Sequence, residues 1–424
     1  MTRSLLLVAA ALVAGGDLVA QAVPDSSQAA RVSTAYRRTP TLRVDPFRHV
    51  MIPHWGLVVS GGALGANNTL NIKDVRALIF LGDRDSLLIG DIVNTFGLVP
   101  VGQGVRGEAE GEGGVHIGGP FGRHVSFGIS AQGRGYGAFL VDDRAVALLR
   151  DGNAAQQQFF VGDTKGSVLA AAEFGAHGVI RVGPIGTIDG AELSIGFGGR
   201  YIRPLFYARA RSLIEDSRVL LTGDTIAANV RVESLHTEDI EFGRGTGIAA
   251  DFLVRLEWPT NGFSLEAMVA NLGKVTMDGL RRDTLSFNVN TTDLQEVSDS
   301  LEVLEFFEVQ ALVNDVKVTL PRIVRFSASG WANAILQLDV SATMPVSGEF
   351  DTPLAVDVGT TWRFLRQVPL RAGLVLGGRQ GFGFTGGLGL ETRNFFVVLA
   401  GGSLGGLFGN ATGVAGRLEL GFFF

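Results

Sequence analysis

The carboxyl-terminal stretch Gly413-Val414-Ala415-Gly416-Arg417-Leu418-Glu419-Leu420-Gly421-Phe422-Phe423-Phe424 decides the fold. Counting back in twos gives Phe424, Phe422, Leu420, Leu418, Gly416 and Val414, none of them polar, while the interleaved set holds Arg417 and Glu419. Successive side chains of a strand point to opposite faces, so one face here is wholly apolar and the other mixed. A tilted strand of about 9–11 residues spans a bilayer, and this stretch has that length. The pattern predicts a strand of a membrane barrel.

The opposite end agrees. Met1 to Ala22 has a basic start at Arg3, an apolar run from Leu5 to Gly15 and the small-x-small ending Ala20-Gln21-Ala22. Residues 1–22 therefore read as a secretory signal peptide, with cleavage before Val23 or, given Asp17, near Ala29. No later run is long and apolar enough to cross a membrane as a helix, for which about 18 residues are needed. An exported chain with mean hydropathy +0.27 and no helical span is left with a closed barrel, which satisfies every backbone N–H and C=O inside lipid.

Composition narrows the function classes. The 424 residues include 59 Gly, 28 Phe and no Cys, and the net charge is −6. Absence of cysteine excludes disulfides, Cys–zinc sites and thiol catalysis, and the acidic balance argues against a nucleic-acid partner. The alternative that composition allows is a large secreted β-sandwich.

Alternation recurs along the chain. Ile248, Ala250, Phe252, Val254, Leu256 and Trp258 share one face; Asp251, Arg255 and Glu257 lie on the other. Trp258 and Phe263 flank the turn at 259–262, where an interfacial aromatic girdle belongs. Val168, Ala170, Ala172 and Phe174 oppose Glu173, His177 and Arg181. Strand starts fall near residues 104, 124, 167, 190, 224, 247, 263, 322, 334, 354, 369, 384, 395 and 413. The predicted fold is all-β: an antiparallel transmembrane β-barrel of about fourteen strands over residues 104–424, with a partly helical N-terminal plug. Walking back from a periplasmic C-terminus puts the short links at 392–394, 365–368, 331–333 and 259–262 inside, and most long ones outside. The 141–166 link, with a short helix ahead of Gly152, falls on the periplasmic side by this count.

Two regions stand apart from the wall. Residues 23–103 lack sustained alternation, yet Ile72, Val75, Leu78, Ile79 and Phe96 fit helical spacing. This segment is read as a plug in the lumen or its mouth, with a periplasmic cap as the alternative. The second region, 279–321, is a large extracellular loop in which Leu294, Val297, Leu301 and Leu304 form an apolar stripe among acidic residues. Such a stripe either catches apolar ligands or packs on the barrel rim.

Enzyme motifs lack their context. Gly401-Gly402-Ser403-Leu404-Gly405 matches G-x-S-x-G without a following helix, and Gly102-Gln103-Gly104-Val105-Arg106-Gly107 opens a strand. The six histidines (His49, His54, His116, His124, His177, His236) are dispersed, so no metal site and no cofactor are expected. The lumen is more informative. Glu108, Glu110, Glu112 and His116 share a face, and charges inside a barrel need partners or water. Arg134, Arg181 and Arg255 are candidate partners, with Glu173, His177 and Asp251 also lining the lumen. The set is either a salt-bridge lattice or a polar conduit beneath an apolar entry site.

Leu420, Phe422 and Phe424 resemble the assembly signal of bacterial outer-membrane barrels, which implies the barrel-assembly machinery and outer-membrane lipid as partners. The plug-like N-terminus, Leu320-Pro321-Arg322-Ile323-Val324, Val368-Pro369-Leu370-Arg371-Ala372-Gly373-Leu374 and Gly386-Gly387-Leu388-Gly389-Leu390 are similar to the FadL superfamily of outer-membrane barrels, nearest the PorV/TraF-like branch. The resemblance implies fourteen strands and a lumenal N-terminal hatch. It also implies either passive transport of a hydrophobic small-molecule ligand or, as in PorV-like members, docking of a secreted-protein partner. The sequence thus points to a non-enzymatic protein of the bacterial outer membrane.

Overall fold

The computed structural model describes residues 41–424 except 43–44, 53, 74–94, 152–157, 161, 185–189, 214–216, 222–225, 239–244, 260–261, 292–310, 348–349, 351–352, 366, 379–380 and 408–409. The signal segment 1–22, the plug residues Val75, Leu78 and Ile79, and the loop stripe Leu294, Val297, Leu301 and Leu304 lie outside the described residues.

In chain order the strands begin with β1 (Gly56–Asn67), β2 (Val105–Pro120) and β3 (Val125–Val141). Helix α1 (Asp143–Asp151) follows, then β4 (Gln158–Phe160), β5 (Lys165–Pro184), β6 (Glu192–Ser212), β7 (Arg218–Leu221) and β8 (Ile226–His236). Next come β9 (Gly245–Trp258), β10 (Phe263–Met277), β11 (Leu280–Thr291), β12 (Ala311–Val313), β13 (Val316–Thr319) and β14 (Arg322–Trp331). The chain ends with β15 (Leu336–Ser347), β16 (Ala355–Leu365), β17 (Val368–Gly377), β18 (Phe382–Glu391), β19 (Phe395–Leu404) and β20 (Gly413–Phe423). Fourteen of these form a closed antiparallel barrel in the order β1-β2-β3-β5-β6-β9-β10-β14-β15-β16-β17-β18-β19-β20. Closure is made by β20 against β1, from Gly56↔Phe423 to Ala66↔Gly413.

The terminal strand shows how sequence makes the wall. Val414, Leu418 and Phe422 are exposed on the outer side, while Arg417 and Glu419 are buried in the lumen. The same holds around the circuit, with Ile129, Phe174, Phe197 and Leu399 pointing outward. Trp258 and Phe263 are paired across the β9–β10 turn with ring centroids 5.5 Å apart. A closed barrel with an apolar outer band sits in lipid, its backbone groups satisfied strand to strand.

The strand total matches expectation through two compensating differences. Strand β1 lies inside residues 23–103, where no strand was expected. Its inner face carries Val58, Ser60, Leu64 and Ala66 and its outer face Leu57, Val59 and Ala63, so one serine is too little polar alternation to mark it. The strand expected near 224 is β8, which pairs with β6 only beyond Ala208 and otherwise with β7 and β11. It belongs to an extension of the wall, together with β7, β11, β12 and β13. Removing one strand and adding another changes the parity of the first half. The 141–166 link, expected on the periplasmic side, lies at the external end, and the links on the side of the C-terminus are the short ones.

Candidate functional site: the plugged lumen

The lumen is entered from the periplasmic end by residues upstream of β1. The Asp45 carboxylate accepts the Phe47 N–H at 2.9 Å, and the Val50 and Met51 N–H groups both donate to the Phe47 carbonyl at 3.1 Å. This tight turn drives Phe47 into the barrel, where it is fully buried against Val179, Leu253, Met268 and Ala270 and meets the His177 ring edge-on at 5.4 Å. A Cβ on Gly196 would sit 2.9 Å from the Phe47 ring, so the wall makes room for the aromatic by omitting a side chain. The segment is also held by charge: Asp45–Arg325 at 2.8 Å and Arg48–Glu419 at 3.4 Å. Residues 45–52 are therefore a lumenal plug.

Around the plug runs a ladder of buried ion pairs. Arg200 is its hub, with Nη1 2.6 Å from Glu173 and both Nε and Nη2 2.9 Å from Asp251. Asp251 also meets His177 at 3.2 Å. Glu173 continues to Arg134 at 3.8 Å, Arg134 to Glu112 at 3.3 Å, Glu112 to Arg417 at 2.9 Å and Arg417 to Glu419 at 2.7 Å. Glu419 then meets Arg48 of the plug, so one chain of alternating charges links wall to plug. A separate arc joins Arg371 to Asp339 at 2.7 Å and to Asp357.

A β-bulge fixes the hub. Register shifts between Val269 and Leu272 in β10, and Asn271 adopts φ 62°, a left-handed conformation that asparagine tolerates. Both Ala270 and Asn271 consequently point inward. The Asn271 backbone N–H donates to Asp251 at 2.9 Å, its Nδ2 donates to the Pro321 carbonyl at 2.8 Å, and its Oδ1 accepts from Arg200.

Above the hub the lumen becomes apolar. Tyr207, Ile202, Leu169, Leu235, Met277 and Leu280 form one buried cluster, joined by Tyr136 and Phe350, whose rings lie 5.9 Å apart. Between the two zones is a cavity of about 200 Å³, bounded by Tyr136, Ile323, Phe350, Val375 and Leu404 and floored by Arg134, Arg200, Asp251 and Arg417. A second cavity of about 120 Å³ lies among Asp45, Arg48, Arg255, Glu266, Arg325 and Arg371. Leu42, Arg325 and Asp357 line both.

No protein-family model and no curated protein matches the chain. Solved structures do resemble it. The Ralstonia pickettii toluene transporter TbuX shares 9% identity over 90% of this chain and 92% of that chain, with a TM-score of 0.49. For the P. putida toluene transporter TodX the values are 10%, 90%, 93% and 0.49, and for a Pseudomonas aeruginosa FadL homologue 12%, 90%, 93% and 0.43. What this barrel does is read from its own lumen.

Among the residues singled out from sequence, Arg134, Glu173, His177, Asp251 and Glu112 meet in the ladder. Glu108 and Glu110 line the larger cavity above it. His116 is buried beside Ser60, whose Oγ lies 3.2 Å from Nε2. Arg255 pairs with Glu257 at 3.2 Å on its own strand. Arg181 lies near the periplasmic end, its backbone N–H bonded to His124 at 2.7 Å. Ile72 and Phe96 sit at the other end of the barrel from residues 45–52. The Ile72 N–H donates to Ala411, and Phe96 packs on Leu70, Val99, Val105 and Val146. Both therefore lie at the external end. Ser403 donates to the Gly406 carbonyl at 2.8 Å at the end of β19.

Arg200 and Asn271 at the hub, Arg325 against the plug and Arg371 of the separate arc were not selected from sequence. Arg200 stands alone after Gly198 and Gly199, and a Cβ on Gly198 would fall 2.2 Å from the His177 ring. A Cβ on Gly359 would fall 2.3 Å from the Arg371 guanidinium. A single large cation next to glycines on its own or the neighbouring strand is the signal that could have found them.

Proposed function

We propose that the barrel passes small, mainly hydrophobic molecules across the outer membrane through a plugged lumen. The observation that carries this is the cavity of about 200 Å³ between an apolar ceiling of Tyr136, Phe350, Val375 and Leu404 and the charged ladder below. Its size suits a small solute, and an apolar pocket with a few convergent polar groups is the usual form of a ligand site. Residues 45–52 block onward passage and have to move for transit. Deleting residues 41–52 and measuring uptake of apolar compounds by whole cells tests this: uptake rises if the plug gates the route, and unchanged permeability counts against it.

The extension built by β7, β8, β11, β12 and β13 favours a second reading, in which external strands dock a secreted protein and nothing crosses. Affinity capture from outer membranes separates the two. A stoichiometric protein partner, with no solute phenotype on deletion of the gene, supports the scaffold.

A further inference from the structure

The plug holds one titratable group with no counter-charge of its own. His49 is buried, stacks on His116 of β2 with ring centroids 4.3 Å apart and planes 31° apart, and its Nε2 makes no hydrogen bond. Its charged neighbours among the described residues come from three elements. Arg48 precedes it in the plug, Arg417 and Glu419 face it from β20, and His116 lies against it from β2. Glu419 is the one carboxylate of the set, and it is already shared by Arg48 at 3.4 Å and Arg417 at 2.7 Å. A proton on His49 would place a cation among two guanidiniums and a second imidazole, with a single carboxylate to offset all of them.

We infer that His49 makes the plug acid-releasable: docking of residues 45–52 in the lumen requires a neutral His49 ring, and protonation expels the segment. The remaining contacts of the plug add to the strength of docking, and Glu266 of β10, which shares Arg325 with Asp45 at 3.2 Å, is a second titratable group against the segment. Asp45–Arg325 and the buried Phe47 anchor the segment on either side of His49. Burial and the neighbouring cations hold the docked His49 well below the usual imidazole value. The undocked ring, in water, titrates near about 6.5. The undocked state thus binds the proton more readily, so acid favours release and alkali favours closure. Each pH unit below the free value shifts the docked-to-undocked ratio by about tenfold, until the docked ring titrates too. The inference requires that residues 45–52 plug the lumen, not that any particular solute crosses it.

The test is ion conductance of the purified full-length barrel in planar bilayers between pH 7.5 and pH 4.5, values set by the experimenter to bracket about 6.5. Wild type is expected to be closed at neutral pH and to open as acid is added. Substitution His49→Phe keeps a stacked ring that cannot be charged, and its conductance should stay low throughout. Substitution His49→Lys should be open at neutral pH. If either variant fails to show the heat-modifiable band of a folded barrel, His49→Gln serves in its place as a neutral side chain. Wild type that stays closed in acid overturns the inference, as does an acid response retained in His49→Phe. Apolar-solute uptake is measured separately, so a failure of transport leaves this result readable.

Discussion

The two halves of the lumen are filled by opposite chemistry. Toward the external end Tyr207 and Met277 of the wall meet Leu235 and Leu280 of the extension in one buried apolar cluster, as in the core of a soluble domain. The periplasmic half holds Arg134, Glu173, Arg200, Asp251, Arg417 and Glu419 almost without exposure. Both halves exclude solvent from the same wall, yet one relies on dispersion and the hydrophobic effect, and the other on a connected set of charges. The difference teaches where the barrel is built to move. An apolar core tolerates small shifts with graded loss, whereas a charge ladder is stable only when every member keeps its partner.

The largest effect is expected from breaking the ladder at its hub. Arg200→Leu leaves Glu173 and Asp251 buried with their main cation removed, and loss of one partner of a buried pair costs about 3–5 kcal/mol. Urea unfolding in lipid vesicles measures it. A loss under about 1 kcal/mol, typical of exposed pairs, would show that water reaches the lower lumen and that the contrast between the halves is false.

In the external half, Leu235→Ala removes a side chain that is 1% exposed. Large-to-small changes at such sites cost about 2–5 kcal/mol. Unlike the hub variant, this loss should be insensitive to ionic strength, because no charge is involved. The same unfolding measurement at low and high salt separates them.

Asn271 sits where the halves meet, so its removal sharpens the boundary. Asn271→Gly keeps the left-handed backbone at φ 62° without strain but strands the Pro321 carbonyl and one face of Arg200. A buried acceptor left unsatisfied costs about 1–3 kcal/mol. Asn271→Ala should be worse by about 1 kcal/mol, the penalty for a Cβ in that conformation. Equal stabilities for the two variants would remove the bulge from the account.

What was legible in the sequence follows from the same contrast. The outer wall is read wherever one side of a strand is polar, as in β9 and β20, because lipid and lumen then impose a period of two. Strand β1 was hidden because both of its faces are small or apolar, with Leu64 facing the cavity and Val59 facing lipid. The candidate charges Arg134, Glu173, His177 and Asp251 could be named, since a lone charge on a barrel strand has nowhere to go but inward. Their connection through Arg200 and Asn271 could not. It depends on a one-residue bulge and on which strands become neighbours around a closed circuit, and neither leaves a local pattern. The plug was located only coarsely, within residues 23–103, for a related reason. The helical spacing of Ile72 and Phe96 reads strongly, and those two residues lie at the external end, whereas the turn around Phe47 that enters the lumen from the periplasmic side carries no periodic pattern.

The smallest effect is expected beyond the membrane, where the extension tests whether burial or charge itself sets the strength of the lower lumen. Arg209, Arg211 and Arg282 all approach Glu233, at 3.9, 3.0 and 3.9 Å. In composition this resembles the Arg200 hub, with guanidiniums converging on a carboxylate. Here, however, the Arg211 side chain is 48% exposed, against 2% for Arg200. Water screens the attraction and solvates either partner when the other is lost, so Arg211→Ala should cost only about 0.2–1 kcal/mol and less in high salt. Measured beside Arg200→Leu, it isolates desolvation as the variable, since the interacting groups are the same. If the two variants proved equally destabilising, the strength of the ladder would lie in charge pairing alone, and the closed periplasmic half would need another explanation.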